Sequence, residues 1–233
     1  SMVKFAHKNG KFLSLISKNI MKKIYFILLC LMTIFPYLNV FSKPQTEWFW
    51  TFEHDGAFEL PQKWIFPKGK WQVLLDHQTP NSKKVLQLMK SNTKINDISL
   101  GIADLDFSAV EISALIVLDS KESSAGIIWG YENIHTYYSA VVNNKDLNFK
   151  LSQSSLGEVK TLAKFSLCKT EEKCTLTNPI QIKVEHSQKM VSAFINDAKV
   201  IEVFAPSKKG KGGVIGLGSS ARFDNILAKS IKF

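Results

Sequence analysis

The residues able to do chemistry are spread along this chain. Asp104, Asp106 and Glu111 form the densest run of carboxylates. Two carboxyl groups about 5 to 5.5 Å apart can cleave an acetal with retention of configuration. Strand alternation would put Asp104 and Asp106 on one face, but Glu111 lies at an odd offset from both, beyond an expected turn at Ser108. The histidines His54, His77, His135 and His186 are widely separated, and each is expected at the surface rather than as a base or ligand. Neither a Gly-x-Ser-x-Gly elbow nor a His-Glu-x-x-His run occurs.

Lys208-Lys-Gly-Lys211 is the densest cationic run. No Ser or Thr follows the lysine as a phosphate loop requires, so the run reads as a solvated turn. The chain carries 30 basic and 20 acidic residues. Six of the lysines lie in residues 1–42, which hold no acid, so 24 basic groups face 20 acidic ones in the remainder. That modest excess, with Arg222 the only arginine, argues against a dedicated nucleic-acid binder, which needs clustered cations and planar guanidinium forks.

Cys168 and Cys174 enclose five residues, Lys169 to Lys173, and in an oxidising compartment this spacing suits a disulfide across a surface turn. Metal ligation by the pair is disfavoured because no His or further Cys lies close by.

The compartment follows from the start of the chain. Lys22 and Lys23 precede the apolar run Ile24 to Phe35, then Pro36, and Val40-Phe-Ser42 offers small residues for cleavage before Lys43. Residues 21–42 therefore read as a secretory signal starting at Met21, with 1–20 an upstream segment and 43–233 one folded domain. The apolar run is shorter than the roughly 20 residues that span a bilayer. Membrane attachment would arise only through a signal left uncleaved. The expected location is periplasmic or extracellular.

After Ser42 the chain reads as strands and turns throughout. Trp71 to Asp76 and Val85 to Met89 flank the turn-forming Thr79-Pro-Asn-Ser82. Glu111 to Leu118, Ala125 to Tyr131, Thr136 to Asn143, Asn148 to Gln153 and Glu158 to Ala163 follow at meander spacing. Ile180 to Glu185 alternates as a strand with one wet face should. Met190 to Ile195 and Ala198 to Val203 flank Asn196-Asp197, two residues that tolerate positive φ in a tight hairpin. Neither a 3.6-residue period nor an internal repeat is present, so the expected class is a single all-β domain, large enough for one sandwich.

The order of motifs supports a family reading. Trp48 to Trp64, Leu105-Asp-Phe-Ser-Ala-Val-Glu111, Ala125-Gly-Ile-Ile-Trp-Gly-Tyr131, Thr136-Tyr-Tyr-Ser139, Phe194-Ile-Asn-Asp-Ala198 and Gly216-Leu-Gly218 with Phe223-Asp-Asn-Ile226 resemble the concanavalin A-like lectin/glucanase superfamily. Laminin-G-like and 3-keto-disaccharide hydrolase-like domains are the nearest groups. The resemblance implies a jelly-roll sandwich with its first and last strands side by side, and sugar contacts on the concave face or rim. It carries no catalytic signature.

In related jelly rolls an acid of the first strand and one of the last hold a structural calcium, which here would fall on Glu53 and Asp224, with Asp55 nearby. Local capping of backbone amides by these carboxylates is the competing reading.

Alternation assigns the faces within such a fold. Ile127, Trp129 and Tyr131 would share the core side, with Ile128 and Gly130 opposite. Trp129 is expected in the core rather than as a sugar platform, and Trp48, Trp50, Trp64 and Trp71 with it. Tyr138, Ala140 and Val142 would also face inward. The groove would then carry Tyr137 and Ser139, with Lys150 on the adjoining strand and Glu132, Asn133 and His135 in the loop at its rim. Aromatic surface with hydrogen-bonding groups is what a neutral glycan needs, and an ordinary wet sheet face would carry the same residues. The expected function is glycan binding by an exported module. A hydrolase of the 3-keto-disaccharide type and a structural or adhesion subunit that binds protein are the alternatives.

Overall fold

The computed structural model describes residues 47–76, 83–89, 97–168, 176, 178–218 and 220–231. Every regular element among them is a strand. The first half of the chain supplies β1 (Glu47–Trp50), β2 (Trp64–Lys68), β3 (Trp71–Leu75), β4 (Lys84–Leu88), β5 (Ile98–Phe107), β6 (Val110–Leu118), β7 (Ser124–Asn133) and β8 (Thr136–Asn143). The second half supplies β9 (Asn148–Ser155), β10 (Glu158–Ser166), β11 (Ile180–Ser187), β12 (Met190–Ile195), β13 (Ala198–Phe204), β14 (Gly210–Leu217) and β15 (Ala221–Ser230).

Two antiparallel sheets pack as a sandwich. One runs β13-β12-β11-β6-β15-β4-β3 with β1 added on β15, and the other runs β10-β9-β8-β7-β14-β5-β2. No helix among the described residues is long and apolar enough to cross a membrane.

The termini of the domain lie side by side, as expected. β15 is shared lengthwise: Ala221 to Phe223 pair with β4, and Ile226 to Lys229 pair with β1. A bulge between Asp224 and Leu227, with Asn225 at φ 48, separates the two halves. Phe52 and Phe223 are buried in the same core.

Alternation explains the sheets locally. Along β11, Ile180, Ile182, Val184 and His186 point inward while Gln181, Lys183 and Glu185 face out. The β12–β13 hairpin turns through Asn196 and Asp197 at φ 47 and 64, the backbone that matches right-handed strand twist. The edge strand β10 carries Glu158, Lys160 and Lys164 and a bulge between Thr161 and Ala163, features that discourage pairing with another chain.

The core is aromatic at the closing end. Trp50 meets Trp64 edge-on at 5.4 Å, and Trp48 meets Phe107 at 5.2 Å. Trp129 is fully buried between the sheets, as expected of it.

His186 corrects the expectation that every histidine is superficial, since it is 1% exposed. Trp129 Nε1 donates to His186 Nδ1 at 2.8 Å, so the ring proton resides on Nε2, which donates to the Ala205 carbonyl at 3.0 Å. Tyr138 Oη donates to the Pro206 carbonyl at 2.7 Å. These bonds join β7 and β8 of one sheet to β11 of the other and to the β13–β14 connection. Burial holds the His186 pKa below its ordinary value, partly offset by the bond to Ala205.

Candidate functional site

The outer face of the seven-stranded sheet carries a second cluster distinct from the core: Leu100, Ile102, Ile128, Tyr131, Tyr137, Val141 and Ile215. Strand register explains the membership. Ile128 opposes Ser139 and Gly213, Ser139 opposes Ser152, and Tyr137 opposes Ser154, so these side chains share one side.

Tyr131 does not follow the alternation expected of it. A bulge opens in β7 between Trp129 and Asn133, and Gly130 adopts φ +58. Three steps of β7, Ile128 to Tyr131, stand opposite two of β14, Gly213 to Lys211, so the phase shifts and Tyr131 leaves the side of Ile127 and Trp129 for the outer face. There it stacks on Tyr137 with centroids 6.5 Å apart and planes at 28°. A glycine inside an apolar strand is the sequence signal for such a bulge. Burial raises both phenol pKa values, countered by the Ser154 hydroxyl at Tyr137 and by Lys211 at Tyr131.

Lys211 corrects a second expectation. Rather than lying in a solvated turn, it belongs to β14, opposite Tyr131, where its ammonium pairs with the Asp104 carboxylate. The hydrogen bond that this ammonium donates to Asp104 raises the Lys211 pKa. Lys208 stands 3.9 Å from Glu132 at the same end. Two ion pairs thus border the tyrosines.

The expected groove residues divide into two groups. Tyr137 and Ser139 occupy the outer face, and Lys150 opposes Val141 on the same side. Glu132, Asn133 and His135 sit at the exposed β7–β8 turn. Asn133 Oδ1 accepts from the His135 amide at 2.9 Å, and the His135 carbonyl accepts from Ser154 Oγ at 3.0 Å. The first contact is local turn chemistry, and the second ties the turn to β9. Tyr131, Lys211, Asp104, Ser152 and Ser154 were not expected there. Ser152 is 2% exposed, and its hydroxyl has no hydrogen-bond partner among the described residues.

The carboxylate run divides between the sheets. Asp104 and Asp106 belong to β5 of the seven-stranded sheet, whereas Glu111 lies on β6 of the other and pairs with Lys229 at 2.8 Å. Among the described residues no group of three or more His, Cys, Asp or Glu side chains converges as metal ligands do. Glu53 Oε1 accepts from the amides of Lys83 and Lys84 at 2.7 and 3.1 Å, and Asp224 is fully buried on β15. Cys168 follows β10, and its expected partner Cys174 lies outside the described residues.

No family model matches the chain, and neither does any curated protein. Solved structures do. A carbohydrate-binding module of Bacillus subtilis, CBM66, is similar with a TM-score of 0.57 at 16% identity, over 72% of this chain and 96% of that one. A protein of unknown function with a galectin-like fold, also from Bacillus subtilis, gives 0.53 at 12% identity over 71% and 88%. Domain 4 of AbnA, an extracellular arabinanase of Geobacillus stearothermophilus seen with arabinotriose, gives 0.51 at 11% identity over 79% and 91%. At these identities the likeness is one of fold: this chain is a two-sheet β-sandwich of the kind found in carbohydrate-binding and galectin-like domains.

Proposed function

We propose that the outer face of the seven-stranded sheet binds a neutral glycan and that the protein is an exported carbohydrate-binding module. The observation that carries this reading is the stacked Tyr131–Tyr137 pair bordered by the Lys211–Asp104 and Lys208–Glu132 ion pairs. Charged donors and acceptors complement the hydroxyls of a pyranose or furanose, and the buried aromatic pair beneath them holds them in place. Two lysines balanced by two carboxylates favour an uncharged ligand over a polyanion.

The tyrosines keep only 8% and 4% of their surface exposed, so they form a floor, while Asp104, Glu132 and the lysine stems form the rim that a sugar meets. Ser139 and the Ser152 hydroxyl, unpartnered among the described residues, supply further polar groups to that floor. The solved neighbours include a carbohydrate-binding module and an arabinanase domain seen with arabinotriose, which supports glycan as the ligand class.

Titration of the protein with neutral oligosaccharides, arabinotriose among them, tests the proposal. Tyr131→Ala and Lys211→Ala should each weaken binding about tenfold or more, the loss of roughly 1.4 kcal/mol or more, without changing the far-ultraviolet circular dichroism. No binding to any neutral glycan, or wild-type affinity in both variants, would refute it. Export through residues 21–42 and a Cys168–Cys174 disulfide belong to the same reading. Amino-terminal sequencing of the secreted protein and a thiol count on unfolded protein check them; two titratable thiols would remove the disulfide.

The adhesion alternative has one observation in its favour. Ile134, Leu156 and Val159 are exposed apolar residues in and beside the two turns flanking Tyr137 and Ser154, with Leu156 91% exposed. Retention of a protein partner that is lost in Leu156→Asp, with no glycan bound, would favour that function.

A further inference from the structure

The corner where the first and last strands of the sandwich meet is built around an ammonium group. Phe52, two residues beyond β1, takes φ 61, and the Asp55 amide donates back to the Phe52 carbonyl at 3.1 Å, closing a tight turn. That turn directs two main-chain carbonyls, of Glu53 and Asp55, toward β4. Lys84 Nζ donates to both, at 2.9 and 2.7 Å.

The Glu53 carboxylate is engaged in the same corner. Its Oε1 accepts from the successive amides of Lys83 and Lys84, while Asp55 Oδ1 accepts from the Gln62 amide at 3.3 Å. Asp224 lies one residue beyond the Phe223–Leu86 pair that joins β15 to β4, fully buried at the same junction.

A calcium ion takes six to eight oxygen ligands at about 2.3–2.6 Å, with carbonyls and carboxylates turned to one centre. Those conditions are not met here. The two carbonyls converge on nitrogen, and the Glu53 oxygen Oε1 is taken by backbone N–H groups.

We propose that the Lys84 ammonium is the resident cation of this corner, and that the sandwich joins its first and last strands without a metal ion. Lysine suits the task. Its three donors radiate from a point charge on a flexible stem, so they can satisfy carbonyls at angles that a planar guanidinium would miss. The closure is therefore encoded covalently, and its strength does not depend on the calcium concentration outside the cell.

The test compares melting temperatures of the protein dialysed against EDTA, with and without millimolar calcium chloride, and measures calcium content before dialysis. The expected result is less than about 1 °C of difference and no stoichiometric calcium, because a ligand that binds neither state shifts neither. Lys84→Met keeps the stem and removes the charge, and should melt roughly 4 to 8 °C lower in EDTA. Stoichiometric calcium in the wild-type protein, a rise of several degrees on adding calcium, or a Lys84→Met variant that melts like wild type would each overturn the proposal. Should Lys84→Met fail to fold, the wild-type calcium measurements decide it. None of these results depends on glycan binding.

Discussion

Acidification should weaken this sandwich through one imidazole. His186 Nδ1 accepts from Trp129 Nε1, and Nε2 donates to Ala205, so both ring nitrogens are committed in the neutral form. A second ring proton would point at the indole N–H and set two donors against each other. The rings that face it, Trp129 and Tyr138, carry no charge that could compensate. Its pKa is accordingly lowered in the folded state by burial.

The sign follows from proton counting. Below the ordinary histidine value of about 6.5 the unfolded chain gains a proton that the folded one refuses, so unfolding becomes easier as pH falls. Stability is full above about 6.5 and declines until the lowered folded pKa is reached. The limiting slope is about 1.4 kcal/mol per pH unit, or roughly 3 to 5 °C in melting temperature for a domain of this size.

Thermal melts from pH 8 to 5 on wild type and His186→Leu separate this effect from other titrations. The variant leaves the Trp129 N–H and the Ala205 carbonyl unpartnered, about 1–3 kcal/mol for each. It should therefore be less stable at pH 8, with a flatter profile between 6.5 and 5. Parallel profiles in that window would refute the reasoning.

Other substitutions probe the frame around the candidate site. A Cβ on Gly126 would stand 1.9 Å from the Ala140 carbonyl oxygen across the β7–β8 pair, so Gly126→Ala should separate the strands that carry Tyr131 and Tyr137 and yield insoluble protein. Normal expression and melting would contradict that. Arg222 bridges Asp76 and Asp119 at 2.8 Å each and is largely buried. Arg222→Lys cannot keep both bonds and should cost about 2 kcal/mol in urea denaturation, with little relief from salt. An unchanged midpoint would show the bridge to be dispensable.

Much of the architecture was readable because strand alternation is a local property. Ile180 to Glu185 announced its two faces, Asn196-Asp197 its hairpin, and Trp64, Trp71 and Trp129 their place in the core, while Trp48 and Trp50 pack half-buried against it. The burial of His186 was also latent there, since it falls in phase with Ile180, Ile182 and Val184. Its polarity concealed it. The candidate site was legible in part: Tyr137 and Ser139 followed from parity, whereas Tyr131 required knowing that Gly130 shifts the phase.

Composition and periodicity by themselves determined that this chain folds as successive strands around an aromatic core, because each residue's burial follows from its immediate neighbours along a strand. Only the tertiary structure decided which polar groups meet. The pairing of Lys211 with Asp104 spans 107 positions, that of Arg222 with Asp76 spans 146, and Lys84 reaches 31 residues back to Glu53. Such contacts depend on sheet order and register, which are set by the packing of the whole sandwich and leave no local trace in the amino-acid pattern.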